Sequence, residues 1–179
     1  TATDVAVNTG DASEPFVLTV DTQAPTAPTL TAISDNVGTI QNPITTSGQT
    51  TDDTTPTLSG RAEANATVDI YDNGALIDTV QANEAGDWTY TPDQALNNGS
   101  HTFTTRATDA AGNVSELSPG FTLIVDTLKP VAPVIALAQD DVAPGTGALA
   151  SGSSTNDTLP VLTGTSEPNA RIQMFEGET

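Results

Sequence analysis

The feature that most constrains this chain is that it resembles itself. Val20-Asp21-Thr22, followed by Pro25 and Pro28, returns 105 positions later as Val125-Asp126-Thr127, followed by Pro130 and Pro133. Thr3-Asp4 returns as Thr108-Asp109, Asn8 as Asn113, Phe16 as Phe121, and Asp35-Asn36-Val37 as Asp140-Asp141-Val142. After one deleted residue the step is 104, so that Asp53, Pro56, Leu58, Gly60, Glu63 and Asn65 return as Asp157, Pro160, Leu162, Gly164, Glu167 and Asn169. Chance does not place so many matches in one register, and a fixed period means that one structural unit is stacked in series. The 179 residues therefore read as the end of one unit (1–22), a complete unit (23–127) and the first half of a third (128–179). The chain is expected to be an excerpt of a longer array, with its export signal outside it.

Within the unit, apolar and polar residues alternate at 66–71, 88–90 and 103–107, the period of a half-buried strand. Asn and Gly punctuate these runs at Asp72-Asn73-Gly74, Asn83 to Gly86, Asn97-Asn98-Gly99 and Ala111-Gly112-Asn113, where turns require positive φ. No stretch keeps helical periodicity over three turns, and no apolar run approaches the roughly 18 residues of a membrane span. The pattern predicts strand A near 27–34, B near 56–62, C near 66–72, C′ near 75–81, E near 86–91, F near 101–108 and G near 119–126. The Gly-, Thr- and Asn-rich stretch 35–53 is expected to be an irregular excursion between A and B. Seven or so short strands in about 105 residues suit an all-β, immunoglobulin-like sandwich of two antiparallel sheets, repeated in tandem. With 36% apolar and 4% aromatic residues, its core must be thin and built from Val, Ile, Leu and Ala. Trp88, Tyr90, Phe103 and Phe121 alternate with polar neighbours and are expected in that core, not on a carbohydrate-stacking surface. Thr89 with Thr91, and Thr102 with Thr104, read as strand residues on a solvated face. Half a sandwich cannot cover its apolar face, so 1–22 and 128–179 are expected to be poorly ordered by themselves.

Charge excludes several partners. Against 23 acidic residues stand 4 basic ones, a net charge of −19, which repels nucleic acid and anionic membrane surfaces. The same charge would suit a disordered chain, and it is the strand patterning that decides otherwise. Absence of cysteine removes disulfides, thiolate nucleophiles and Cys-ligated metals, and a single histidine, His101, removes multi-His sites. Oxygen-ligated cations remain. The carboxylates are stationed and not scattered: Asp21 and Asp126 follow strand G, Glu63 and Glu167 sit in the B–C loop, Asp4 and Asp109 end strand F, and Asp35-Asn36 and Asp140-Asp141 follow strand A. Sandwich topology puts Asp21, Glu63 and Asp109 at the entrance of the middle unit, with Asn113 nearby. It puts Asp126 at the exit, to meet Glu167 of the next unit and Asp35, Asn36 or Asp53 of the lower loops. Carboxylates crowded together repel unless protonated or bridged, and an oxygen-only donor set suits Ca²⁺. A Ca²⁺ site at each junction is therefore expected, with a weaker case at the lower loops.

The segments 53–74, 86–92, 99–113 and 121–127, with 157–170 as the second copy of the first, are similar to the bacterial immunoglobulin-like repeats of giant, type I-secreted, RTX-like surface adhesins and biofilm-associated proteins. That resemblance covers the chain. It implies a secreted, extracellular rod on the bacterial surface, monomeric and stiffened by Ca²⁺, that projects a distal adhesive domain toward a host or surface ligand. It also implies that Asp21, Glu63, Asp109, Asp126 and Glu167 are ligands. Two departures between repeats alter loop charge: Asn36 stands where the following repeat has Asp141, and Asp72-Asn73-Gly74 becomes Glu176-Gly177.

Enzymatic activity is not expected. His101 begins a strand just after a turn and has no second copy here. A hydrolytic carboxylate pair is assembled in an aromatic-lined cleft, whereas these acids recur at linkers. A module that itself binds a glycan or receptor is the alternative, and such a domain usually departs from the repeat pattern.

Overall fold

A computed structural model describes residues 1–38 and 41–175 of the chain. All of the regular elements among them are strands. Two compact units divide the chain, Thr1–Thr127 and Leu128–Thr179.

The first unit contains β1 (Thr29–Ser34), β2 (Pro43–Ile44), β3 (Gln49–Thr51), β4 (Thr57–Arg61), β5 (Thr67–Asp72), β6 (Ala75–Gln81), β7 (Asp87–Tyr90), β8 (Gly99–Thr108) and β9 (Phe121–Val125). One sheet runs β2-β1-β4-β7 and the other β3-β9-β8-β5-β6. Strands A, B, C, C′, E, F and G are thus β1, β4, β5, β6, β7, β8 and β9, each within two residues of the expected ends. The A–B excursion differs from expectation, because it contributes a strand to each sheet. Ile44 of β2 is buried and pairs with Ile33, and β3 runs parallel to β9 with Gln49 opposite Leu123 and Thr51 opposite Val125.

Inward-facing residues of both sheets form one core: Ile33, Leu58, Trp88 and Tyr90 from the first, Val68, Ile70, Phe103, Leu123 and Val125 from the second. Burying side chains of this kind contributes roughly 1.5–3 kcal/mol each. The aromatics are core residues as expected, Trp88 being 2% and Phe103 1% exposed. Trp88 lies over Gly60, where a Cβ would collide with its ring and with the Thr29 carbonyl. β5 and β6 join through Asn73 (φ 49°) and Gly74 (φ 84°), the paired left-handed conformation of a two-residue hairpin turn.

Residues 1–22 form no strand, only an isolated bridge between Thr3 and Thr9, and leave Phe16, Val17 and Leu18 exposed.

The second unit is a three-stranded sheet of β10 (Val134–Asp140), β11 (Gly147–Leu149) and β12 (Val161–Thr165), ordered β11-β10-β12. It is more regular than expected for half a sandwich. Its β10–β12 pairing repeats that of β1–β4, including a register shift between Ile135 and Leu137 that matches the one between Leu30 and Ala32. Antiparallel pairing satisfies backbone groups without a second layer. Val134, Ile135 and Val161 stay exposed. Glu176-Gly177, the counterpart of the β5–β6 turn, lies outside the described residues.

Candidate functional site

The stationed carboxylates occupy three kinds of loop. The first follows β8. Asp109 there accepts N–H bonds from Ala111 (2.8 Å) and Asn113 (2.8 Å) on Oδ1, and the Asn113 side-chain amide (2.8 Å) on Oδ2. Asp4 repeats the arrangement with Ala6 (2.8 Å), Asn8 (2.9 Å) and the Asn8 amide (3.0 Å). In each case an Asp side chain stands in for a backbone turn and closes the loop on itself. The Asn113 amide holds the Asp109 carboxyl below its usual range, with the Asn113, Ala111 and Gly112 N–H groups adding to the effect and burial opposing it. Asn113 Nδ2 also donates to the Asp21 carbonyl at 3.3 Å, tying the entrance linker to this loop, while Asp21 Oδ1 accepts the Gln23 N–H.

The second loop lies between strands B and C. Glu63 is exposed, and its carbonyl accepts the Ala66 N–H across a turn in which Asn65 takes a φ of 61°. Its counterpart Glu167 repeats that turn through Ala170, with Asn169 at φ 64°, and its Oε1 accepts the Val131 N–H at 2.9 Å.

The third loop follows strand A and holds the most buried acids. Thr51 Oγ1 donates to Asp35 Oδ2 (2.8 Å) and accepts the Asp53 N–H (3.0 Å). Asp53, fully buried, accepts N–H bonds from Thr55 (2.8 Å) and Asn36 (3.3 Å), and Asp35 accepts that of Val37 (3.0 Å). The second unit reproduces all five contacts. Thr155 Oγ1 donates to Asp140 (2.6 Å) and accepts the Asp157 N–H (2.9 Å); Asp157 accepts Leu159 (2.8 Å) and Asp141 (3.4 Å), and Asp140 accepts Val142 (2.9 Å). In each unit the threonine hydroxyl ties the two acidic residues together, because it donates to the carboxylate of one and accepts the backbone N–H of the other. At the unit's exit, the exposed Asp126 gives its N–H to the Thr51 carbonyl at 2.9 Å, so this loop also holds the end of β9.

Asp35, Asn36 and Asp53 are therefore brought together, as are Asp140, Asp141 and Asp157, and Asp21 is joined to Asp109 through Asn113. Sequence reasoning found Asp157 as the repeat of Asp53 without assigning it to a site, and passed over the two threonines, Thr51 and Thr155, which the same 104-residue step relates. Among the described residues no three acidic or histidine side chains converge in a way that could hold a metal ion. The carboxylates of Asp4, Asp21, Asp35, Asp53, Asp109, Asp140, Asp157 and Glu167 instead receive N–H or O–H donors from their own unit. Within a single unit this donor set is not a calcium cage, which takes six to eight oxygens.

A family model described as a bacterial Ig-like domain matches residues 29–127. No curated protein matches the chain.

Proposed function

The chain belongs to the bacterial Ig-like domain family, and from that premise we propose that it is an extender segment of a bacterial surface adhesin, projecting a distal adhesive domain for cell adhesion or biofilm formation. Domains of this family are typically structural and are commonly extracellular or surface-exposed. No described helix is long and apolar enough to cross a membrane. The observation that carries the reading is the duplication of the loop chemistry: five hydrogen bonds around Thr51 recur around Thr155, each within about 0.2 Å. A module whose work is length is copied whole, whereas a ligand-binding module diverges at its loops.

The proposal extends to Ca²⁺ at the junctions between units. Asp21, Glu63 and Asp109 serve one end of the complete unit, and Asp126 and Glu167 the other, with the carboxylates of the strand A loops as weaker candidates. Recurrence of these oxygen donors at linkers supports it. Bound there, the ion supplies positive charge that offsets the carboxylates and couples linker to loop. Extracellular modules of this sort bind at roughly 10⁻⁴ to 10⁻³ M.

Small-angle scattering of a chain with two whole repeats, in Ca²⁺ and then in chelator, is the test. Chelation is expected to shorten the maximum dimension and lower the melting temperature, and Asp126→Ala to loosen only the junction that follows it. Unchanged scattering and melting would remove calcium from the reading and leave the extender. A glycan-array signal that survives loss of all five linker and loop carboxylates would instead make the repeat itself the adhesive element.

A further inference from the structure

His101 is the one histidine of the chain, and it is buried, with its side chain 11% exposed. Both ring nitrogens face acceptors. Nδ1 lies 2.6 Å from Asp72 Oδ2 and Nε2 lies 2.9 Å from the Asn97 carbonyl oxygen. A carbonyl only accepts, and a carboxylate only accepts, so the two contacts need two protons: one on Nε2, and one held between Nδ1 and Oδ2. Removing one leaves a lone pair facing a lone pair. Asp72 Oδ1 is buried without a hydrogen-bond partner, so the Asp72 charge depends on His101. Asp72 is in turn fixed by the next residue, since Asn73 donates to the Ser100 carbonyl (3.1 Å) and accepts the Thr102 N–H (3.1 Å), on either side of His101.

The other end of this contact leads to the exit of the unit. Asn97 is followed by Asn98, whose Oδ1 accepts both the N–H (3.1 Å) and the hydroxyl (3.0 Å) of Thr127, the last residue of the unit. Loop 93–98 is anchored by the Leu96 N–H on the Thr54 carbonyl (2.8 Å) and by the Asn97 carbonyl on His101. We infer that His101 is a proton-operated latch: protonated, it holds the Asn97-Asn98 corner in place, and through Asn98 it holds the exit residue Thr127; deprotonated, it lets that corner and Thr127 loosen.

Burial acts to lower the His101 pKa, but the Asp72 hydrogen bond, the Asn97 carbonyl and the Asp72 charge outweigh it and leave it above the ordinary 6.5. A raised folded value means that the latch stabilises fully below the unfolded value and is lost as pH rises through the folded one. The groups facing the ring are Asp72 from β5, Asp78 from β6, Tyr90 from β7 and Asp93 from the loop, which share one cavity with it. From β9 its partner is the apolar Leu123, and Phe103 stacks on the ring from β8. Burial, reinforced by Asp78, Asp93 and Asp72, holds Tyr90 above its usual 10. His101 is the side chain of this cavity whose ordinary value lies between pH 5 and 8.

An NMR titration of the 179-residue chain between about pH 5 and 9 tests this. The His101 ring protons are expected to titrate with a midpoint above 6.5, and the Thr127 amide and Asn98 side-chain resonances to move with that same midpoint. Asp72→Asn should lower all of these midpoints together. Asn98→Ala, a change at an exposed residue, should leave the His101 midpoint in place and flatten the Thr127 response. Thr127 resonances that stay still while His101 titrates in the unaltered chain, or a His101 midpoint at or below 6.5, would overturn the latch.

Discussion

A carboxylate in these loops acts through what it accepts. Asp53 is fully buried, yet the N–H groups of Thr55 and Asn36 supply its partners. Asp53→Ala leaves the Thr55 and Asn36 N–H groups without their acceptor and opens a cavity where a buried side chain stood, and is expected to cost about 2–4 kcal/mol by urea unfolding, against about 1–3 kcal/mol for Thr51→Val. A cost below about 0.5 kcal/mol for Asp53→Ala would mean that the loop rearranges around the loss. Asp109 differs because it is nearer the surface, and pH is the way to read it. Its pKa lies below 3.8, chiefly through the Asn113 amide. A depressed folded value gives stability that is present above the unfolded value and lost as pH falls through the folded one. Carbon-13 titration of Asp109 should therefore give a midpoint below 3.8, and Asn113→Ala should raise it.

At the scale of elements, two glycines separate conformational strain from lack of room. Gly74 sits at φ +84° with open space around it, whereas Gly86 sits at φ +82° with the Ala62 carbonyl oxygen where a Cβ would go. Gly74→Ala is expected to cost about 1 kcal/mol, from the backbone alone. Gly86→Ala adds a steric cost of about 1–3 kcal/mol, so equilibrium unfolding should rank it clearly the worse. Of the strands those turns connect, β5 and β7 were legible because each alternates, and β6 because a turn signal bounds it at either end. β2 and β3 were not. They have two and three residues, too few to show a period, and β3 pairs with β9 about 70 positions away, so no local pattern announces it. The acids were legible as positions, since recurrence alone finds Asp35 and Asp140. Their local use was not, because it depends on which N–H groups the loop turns toward them, and Thr51 looks like any other threonine until its hydroxyl is seen between the Asp35 carboxylate and the Asp53 N–H.

For the molecule as a whole, a charge of −19 spread over few cations makes the compact state self-repelling. Raising ionic strength from about 0.01 to 0.1 M shortens the screening length from about 30 to about 10 Å. The melting temperature, followed by circular dichroism in a calcium-free buffer, is expected to rise by about 2–5 °C over that range. A flat or falling value would show that the repulsion is already neutralised locally. The parallel pairing of β3 with β9 has a further consequence once the chain is put under tension. A pull on the last strand drags β9 toward its own C-terminal end, while a pull from the other side drags β3 the opposite way. The bonds between them, extended by Gly48 to Thr122 and Asp126 to Thr51, are then loaded side by side and must fail together. A short edge strand that the sequence left invisible is thus the part of the fold on which a stretched chain would hang.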